Sequence, residues 1–337
     1  MTSLLHSLWG RLSTCGRLSI GLPGFLPKFG LGSMAAYVFL AAALTQGQQQ
    51  NLDNVQLTVL PVQGNVYAVF GAGSNIAVQV GRDGVLMVDT SFAPLAPKIM
   101  AEIRKLNQGP LRYIVNTHVH ADHTGGNEAF AKMVKPDPAE PLAVIAHETV
   151  LNRMTKPVTG STTPPPQLGL PVDEYFTRFK DLHFNGEAIF IYHEPNAHTD
   201  GDSVILFRGS DVVAAGDLFS PDSYPFLDLD RGGTLQGEID ALNHILELTV
   251  PAHTQEGGTY VLPGHGRICD EADVVEYRDM VVIVRDRVRD LISKGRTLDQ
   301  IKEARPTLDY DGRYSSPTGF IKPDQFVESV YRSLTKK

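Results

Sequence analysis

The sequence reads as a four-layer α/β (α+β) domain in which two β-sheets pack face to face with helices on their outer sides, followed by a C-terminal helical extension. Three observations predict this. Short strand-like runs broken by turn residues fill positions 56–89, strand and helix periods then alternate twice, and beyond residue 268 the period is almost entirely helical.

The first strands are expected at 56–60, 66–70, 75–80 and 85–89. They are separated by Gln63-Gly64-Asn65, Gly71-Ala72-Gly73 and Arg82-Asp83-Gly84, the punctuation of an antiparallel meander. Residues 94–106 then place Leu95, Ile99, Ile103 and Leu106 three or four apart, a helical stripe, and 111–115 return to a strand. A second set repeats the logic, with a strand at 142–146, a helix at 147–154 and a Pro-, Thr- and Gly-rich surface connection at 156–171. Strands at 188–192, 203–207 and 212–215, a helix at 234–248 and a strand at 260–262 complete a domain spanning 52–268. In the extension, 269–337, residues 271–293 align Val274, Tyr277, Val281, Val284, Val288 and Leu291 on one packing face. Thr297-Leu298-Asp299-Gln300 starts another helix, and Pro323 suits the first turn of a last one ending near 334. This tail is expected either to cover the active-site mouth or to support a homodimer.

The N-terminal 47 residues have a different character. Arg11, Arg17 and Lys28 precede the apolar run 34–44 and the polar run 45–50, the order of a signal peptide with a basic leader. The apolar run is shorter than the roughly 20 residues a membrane-spanning helix needs, so cleavage between Ala43 and Gln48 and a periplasmic or secreted product are expected, with no stable membrane insertion afterwards. A start at Met34 is the competing reading of this region. The two cysteines, Cys15 and Cys269, are too far apart to suggest a bridge, and the paired spacing of a zinc ribbon is missing. A net charge of −8 gives no broad basic surface, which excludes nucleic acid as the natural partner and leaves a small-molecule substrate.

Chemistry concentrates in Thr117-His118-Val119-His120-Ala121-Asp122-His123, where a strand runs directly into four ligand-type side chains. On extended backbone His118 and His120 point the same way and suit one cation, whereas Asp122 and His123 lie past the turn and can face a neighbouring one. Gly125 and Gly126 then permit a tight approach to the next helix. Three further candidates lie at strand–loop junctions: His198 before a strand, and Asp217 and His265 after strands. The remaining histidines, His6, His147, His183, His193, His244 and His253, are read as structural or surface residues. Asp89, ending a strand, either braces these ligands or caps the helix near Pro94.

This ligand set resembles that of the metallo-β-lactamase superfamily, whose His-x-His-x-Asp-His motif is matched in full by residues 118–123 and whose later His, Asp and His are matched by His198, Asp217 and His265. The resemblance covers about 56–268. It implies an αββα sandwich and two zinc ions, with iron or manganese as alternatives: His118, His120 and His198 on one ion, Asp122, His123 and His265 on the other, Asp217 between them. Such a pair lowers the pKa of a shared water enough to supply hydroxide near neutral pH, with Asp122 orienting it. The expected reaction is hydrolysis of an ester, thioester, lactone or β-lactam carbonyl. Asp217 sits in Gly216-Asp217-Leu218-Phe219, similar to the thioester hydrolases and lactonases of the superfamily rather than to the antibiotic-cleaving β-lactamases, which carry Cys or Ser near that point. The alternatives are β-lactam cleavage proper and an iron-dependent persulfide dioxygenase. The segment after Asp217 should border the metals, and Tyr224, Phe226 and Arg231 are its candidate substrate contacts.

Overall fold

The computed structural model describes residues 52–134, 138–139, 141–156, 168–253, 257–315 and 320–336. The expected leader and signal peptide, Cys15 and the Pro-rich stretch 163–167 lie outside the described residues. No described helix is long and apolar enough to cross a membrane.

The first sheet is ordered β1-β2-β3-β4-β5-β6, with β1 Thr58–Gln63, β2 Val66–Phe70, β3 Ile76–Gly81, β4 Gly84–Val88, β5 Leu111–Val115 and β6 Ala143–Ile145. β1 to β4 form the expected meander, and β5 and β6 add in parallel. The second sheet is ordered β12-β11-β10-β9-β8-β7, with β7 Phe179–Phe184, β8 Glu187–Glu194, β9 Asp202–Phe207, β10 Val212–Gly216, β11 Tyr260–Pro263 and β12 Cys269–Asp270. Only β10 and β11 run parallel there. Helices α1 Ala96–Leu106, α2 Ala121–Thr124, α3 Asn127–Met133 and α4 Glu148–Met154 belong to the first half, and α5 Leu235–Leu248 to the second. The extension holds α6 Glu271–Ser293, α7 Leu298–Glu303, α8 Asp311–Tyr314 and α9 Pro323–Thr335.

The two-residue period of a strand sends alternate side chains to opposite faces, and the sequence supplies apolar residues for both. In β4, Leu86 and Val88 face the space between the sheets, where they meet Ile205, Phe207, Val212 and Ala214. Val85 and Met87 point outward onto Ile99 and Ile103 of α1. In β9 and β10, Val204, Leu206, Val213 and Ala215 face outward instead, onto α5, α6 and α9 through Leu242, Val281 and Phe326. Three separate apolar layers therefore define the αββα sandwich, and α6 to α9 belong to its outermost layer on the second sheet. Residues 51–337 cluster as one compact unit.

Helix starts follow local chemistry. Thr234 caps α5 by accepting from the Gly237 amide, Asp270 and Asp273 form a capping box on α6, and Thr297 and Gln300 form one on α7. Four elements have no counterpart among the expected ones, the first being α2, a four-residue helix where a turn is expected. β7 is an edge strand whose exposed, polar alternation carries no apolar run, while β12 and α8, at two and four residues, are too short to show a period.

Candidate metal centre

Every expected ligand lies on one rim of the sandwich, where strands end. His118, His120, Asp122 and His123 follow β5, His198 lies between β8 and β9, Asp217 follows β10 and His265 follows β11. The two halves are tied together at this rim. The Ser203 amide donates to the Thr117 carbonyl (2.7 Å), and the Asn75 side-chain amide donates to the carbonyls of Pro263 and Gly266 (2.9 Å each).

The ligand atoms form two groups. His118 Nε2 lies 3.1 Å from His120 Nδ1, which lies 3.0 Å from His198 Nε2. Asp217 Oδ2 closes this group at 3.8 Å from both His118 Nε2 and His198 Nε2. Its other oxygen, Oδ1, is 3.2 Å from His123 Nε2 and 3.5 Å from His265 Nε2, with Asp122 Oδ2 3.2 Å from His265 Nε2 and 3.7 Å from His123 Nε2. Tetrahedral coordination with bonds of about 2.0–2.1 Å separates donor atoms by about 3.4 Å, so both groups have the span of a zinc shell. The carboxylate of Asp217 presents one oxygen to each.

Hydrogen bonds at the outer ring nitrogens decide which nitrogen of each imidazole carries the proton. His123 Nδ1 donates to Asp89 Oδ2 (2.7 Å), His120 Nε2 to Asp228 Oδ2 (2.9 Å) and His265 Nδ1 to the Gly73 carbonyl (3.2 Å). His198 Nδ1 donates to the Phe226 carbonyl. Thr117 spends its hydroxyl proton on Asp89 (2.7 Å), so its oxygen accepts from His118 Nδ1 at 3.0 Å. With the outer nitrogens donating, the five inner nitrogens point at one another and at two carboxylates, the positions from which the singly protonated rings present lone pairs. Buried His123 Nε2 and Asp217 Oδ1, 3.2 Å apart, have no well-formed hydrogen bond among the described residues. Converging acceptors of this kind need cations between them, and the residues fit a metal.

The two groups differ in charge behaviour. Burial drives the His118 and His198 imidazoles toward neutrality, His198 down to about 4. Burial opposes charge on His123 and His265 as well, but Asp217, helped by Asp89 at His123 and by Asp122 at both, overrides it, lifting His123 well above the usual imidazole value and His265 to about 10. The second group thus attracts positive charge strongly, and a cation binding there displaces protons.

The supporting residues are as ordered as the ligands. Asp89 holds the Thr117 amide (2.8 Å), the Thr117 hydroxyl and His123 at once, which is the bracing role and not the helix-capping one. It does so at φ 65°, a left-handed conformation that Asp tolerates better than most residues. Asp202 accepts from the Thr199 amide and hydroxyl and so fixes the turn behind His198; burial raises its carboxyl to about 8. Gly264 is required beside His265, because a Cβ there would strike the Asp217 carboxylate.

The three candidate substrate contacts separate. Phe226 is at the site, its ring stacked on His120 (centroids 5.9 Å) and edge-on to His198 (5.6 Å). Arg231 reaches the same neighbourhood through Asp228, donating to Oδ2 at 2.7 Å with its side chain 47% exposed. Tyr224 departs from expectation: it is 1% exposed, stacks on Phe326 (5.1 Å) and donates to Asp311 (2.8 Å), because the irregular loop turns this ring inward under α9. Asp228, which belongs to no motif, is the residue that orients His120; its place in an Asp-rich loop soon after Asp217 was the available signal.

The metallo-β-lactamase superfamily model matches residues 68–266. A linear primary-alkylsulfatase from Pseudomonas sp. is 34% identical over 73 residues, 21% of this chain and 14% of that enzyme. Among solved structures, a double mutant of the sec-alkyl sulfatase PisA1 superposes with a TM-score of 0.64 at 16% identity, covering 90% of this chain and 55% of that one. A metallo-β-lactamase from Pontibacter korlensis gives 0.51 at 17%, covering 67% of this chain and 99% of that one. The chain therefore spans little more than half of the alkylsulfatase structure, and these low identities speak for the fold alone. With seven ligand-type side chains gathered on the rim of an αββα sandwich and most of that sandwich inside the matched region, the chain belongs to the metallo-β-lactamase superfamily.

Proposed function

We propose that this metal-dependent hydrolase holds two zinc ions and cleaves a carbonyl ester, thioester or lactone of a small molecule. The observation that carries the reading is the inward convergence of five imidazole lone pairs on an Asp217 carboxylate split between two groups. His118, His120 and His198 would hold one ion and Asp122, His123 and His265 the other, with Asp217 shared. When bound, such ions would supply Lewis acidity, lowering the pKa of a coordinated water and stabilising charge that develops on substrate oxygens. Asp122, its carboxylate partly exposed at the mouth, orients the attacking water. Asp89, Thr117 and Asp228 keep the imidazoles in the ligating tautomer throughout the cycle.

Aspartate at 217, in place of a thiol or hydroxyl, favours esters and lactones over β-lactams. Export to the periplasm or medium belongs to the same proposal and rests on the leader-like N-terminal sequence. A second reading, hydrolysis of a sulfate ester, is favoured by the alkylsulfatase likeness, whose superposition extends past the family domain while the β-lactamase one stops at 67% of the chain.

The test is metal analysis together with turnover of p-nitrophenyl acetate, a homoserine lactone, nitrocefin and p-nitrophenyl sulfate by the zinc-loaded enzyme. About two zinc per chain and hydrolysis of the acetate or lactone, abolished in Asp217→Ala, are expected. Full activity in that variant ends the mechanism. One iron per chain with oxygen consumption on persulfides points to the dioxygenase instead.

A further inference from the structure

The helical extension brings one side chain to the mouth of the metal centre. Phe320, between α8 and α9 and outside the region the family model matches, packs edge-on to Phe226 with ring centroids 5.4 Å apart. Phe226 in turn stacks on His120 and meets His198. Phe226 is 36% and Phe320 66% exposed, so a two-ring apolar wall runs outward from the first ligand group into solvent. Neither ring is needed to fill the core, and a ring left two-thirds in water contributes little to folding. The polar groups beside His120 are engaged: Arg231 donates to Asp228, and that carboxylate also holds His120.

We propose that Phe226 and Phe320 form an apolar subsite that binds the extended hydrocarbon chain of the substrate and places its scissile head group against the His118–His120–His198 group. The inference rests on the hydrolase reading and deepens it, assigning a substrate with a polar head and an aliphatic tail. The wall is apolar along its length and continuous with the rings of His120 and His198, so an apolar tail lying along Phe320 and Phe226 ends at the candidate metal group.

Equilibrium binding of sodium acetate, hexanoate, octanoate and decanoate to the zinc-loaded full chain, followed by calorimetry, tests this without turnover. Each methylene lying on the rings is expected to tighten binding by up to about fourfold. In Phe320→Ala, decanoate is expected to weaken about tenfold while acetate stays within about twofold, and Phe320→Leu should keep most of the chain-length dependence. Equal affinity for acetate and decanoate in the wild type, or an unaltered increment in Phe320→Ala, overturns the subsite. Chain-length-dependent binding without turnover of any ester or sulfate would leave the subsite standing and remove the hydrolase reading; turnover without chain-length dependence does the reverse.

Discussion

Glu238 offers a test of the buried electrostatics in isolation from the metals. It lies one turn into α5, is fully buried in the apolar layer between the second sheet and the helices, and neither carboxylate oxygen has a hydrogen-bond partner. Burial, reinforced by the negative charge of Asp217, lifts its carboxyl well above the usual value, so the folded chain keeps this proton where the unfolded chain has released it. The folded state therefore binds one more proton than the unfolded state from about pH 4.5 upward, and stability falls as pH rises until the folded value is reached. One proton retained in full corresponds to about 1.4 kcal/mol of stability lost per pH unit. Glu238→Gln preserves shape and removes the titration. Urea unfolding of wild type and variant at pH 5.5 and 6.5 should show the variant gaining about 1.4 kcal/mol on the wild type over that unit, whatever constant offset the amide introduces. The metal ligands titrate alike in both proteins and cancel in the difference. Parallel stability profiles would mean that Glu238 is charged in the folded state and that the reasoning about this layer is wrong.

Asp228→Asn removes the anionic acceptor that fixes the His120 tautomer, and chelator competition should find zinc bound about 10–100-fold more weakly with the fold intact by circular dichroism. Gly264→Ala drives a methyl group into the Asp217 carboxylate, so metal content should fall below that of the wild type while the far-ultraviolet spectrum is retained; undiminished zinc would show that the rim yields more easily than its geometry implies. Tyr224→Phe removes a hydroxyl bound to Asp311 and should cost about 1–2 kcal/mol in denaturant unfolding with KM unchanged, whereas a raised KM would return Tyr224 to the substrate.

The gathering of seven ligand-type side chains and the layered fold were legible for a shared reason: both follow from short-range regularities. Four ligand-type residues within six positions seldom meet for anything but a cation, and two-sided apolar strands such as 85–88 and 204–207 announce burial on both faces. The silent parts depend on distance. Asp228 serves His120 from 108 positions away, and Phe320 reaches Phe226 across the whole extension. No local period marks either residue. Asp89 could be assigned two roles from the sequence, and only the packing of β4 beside β5 selects between them. Tyr224 and Phe226 look equivalent in the sequence because an irregular loop has no period to say which ring turns inward.

Because the ligand-type side chains are drawn from both sheets, with His118, His120, Asp122 and His123 on one and His198, Asp217 and His265 on the other, an occupied centre would act as a clasp between halves that otherwise meet through an oily seam and a few hydrogen bonds at its rim. Prying the sheets apart then means giving up the cations, so scarcity of metal loosens the whole sandwich as well as silencing its chemistry. With metal at 100 times its dissociation constant, that clasp is worth about 2.7 kcal/mol of resistance to unfolding, a considerable share of what holds an ordinary domain together.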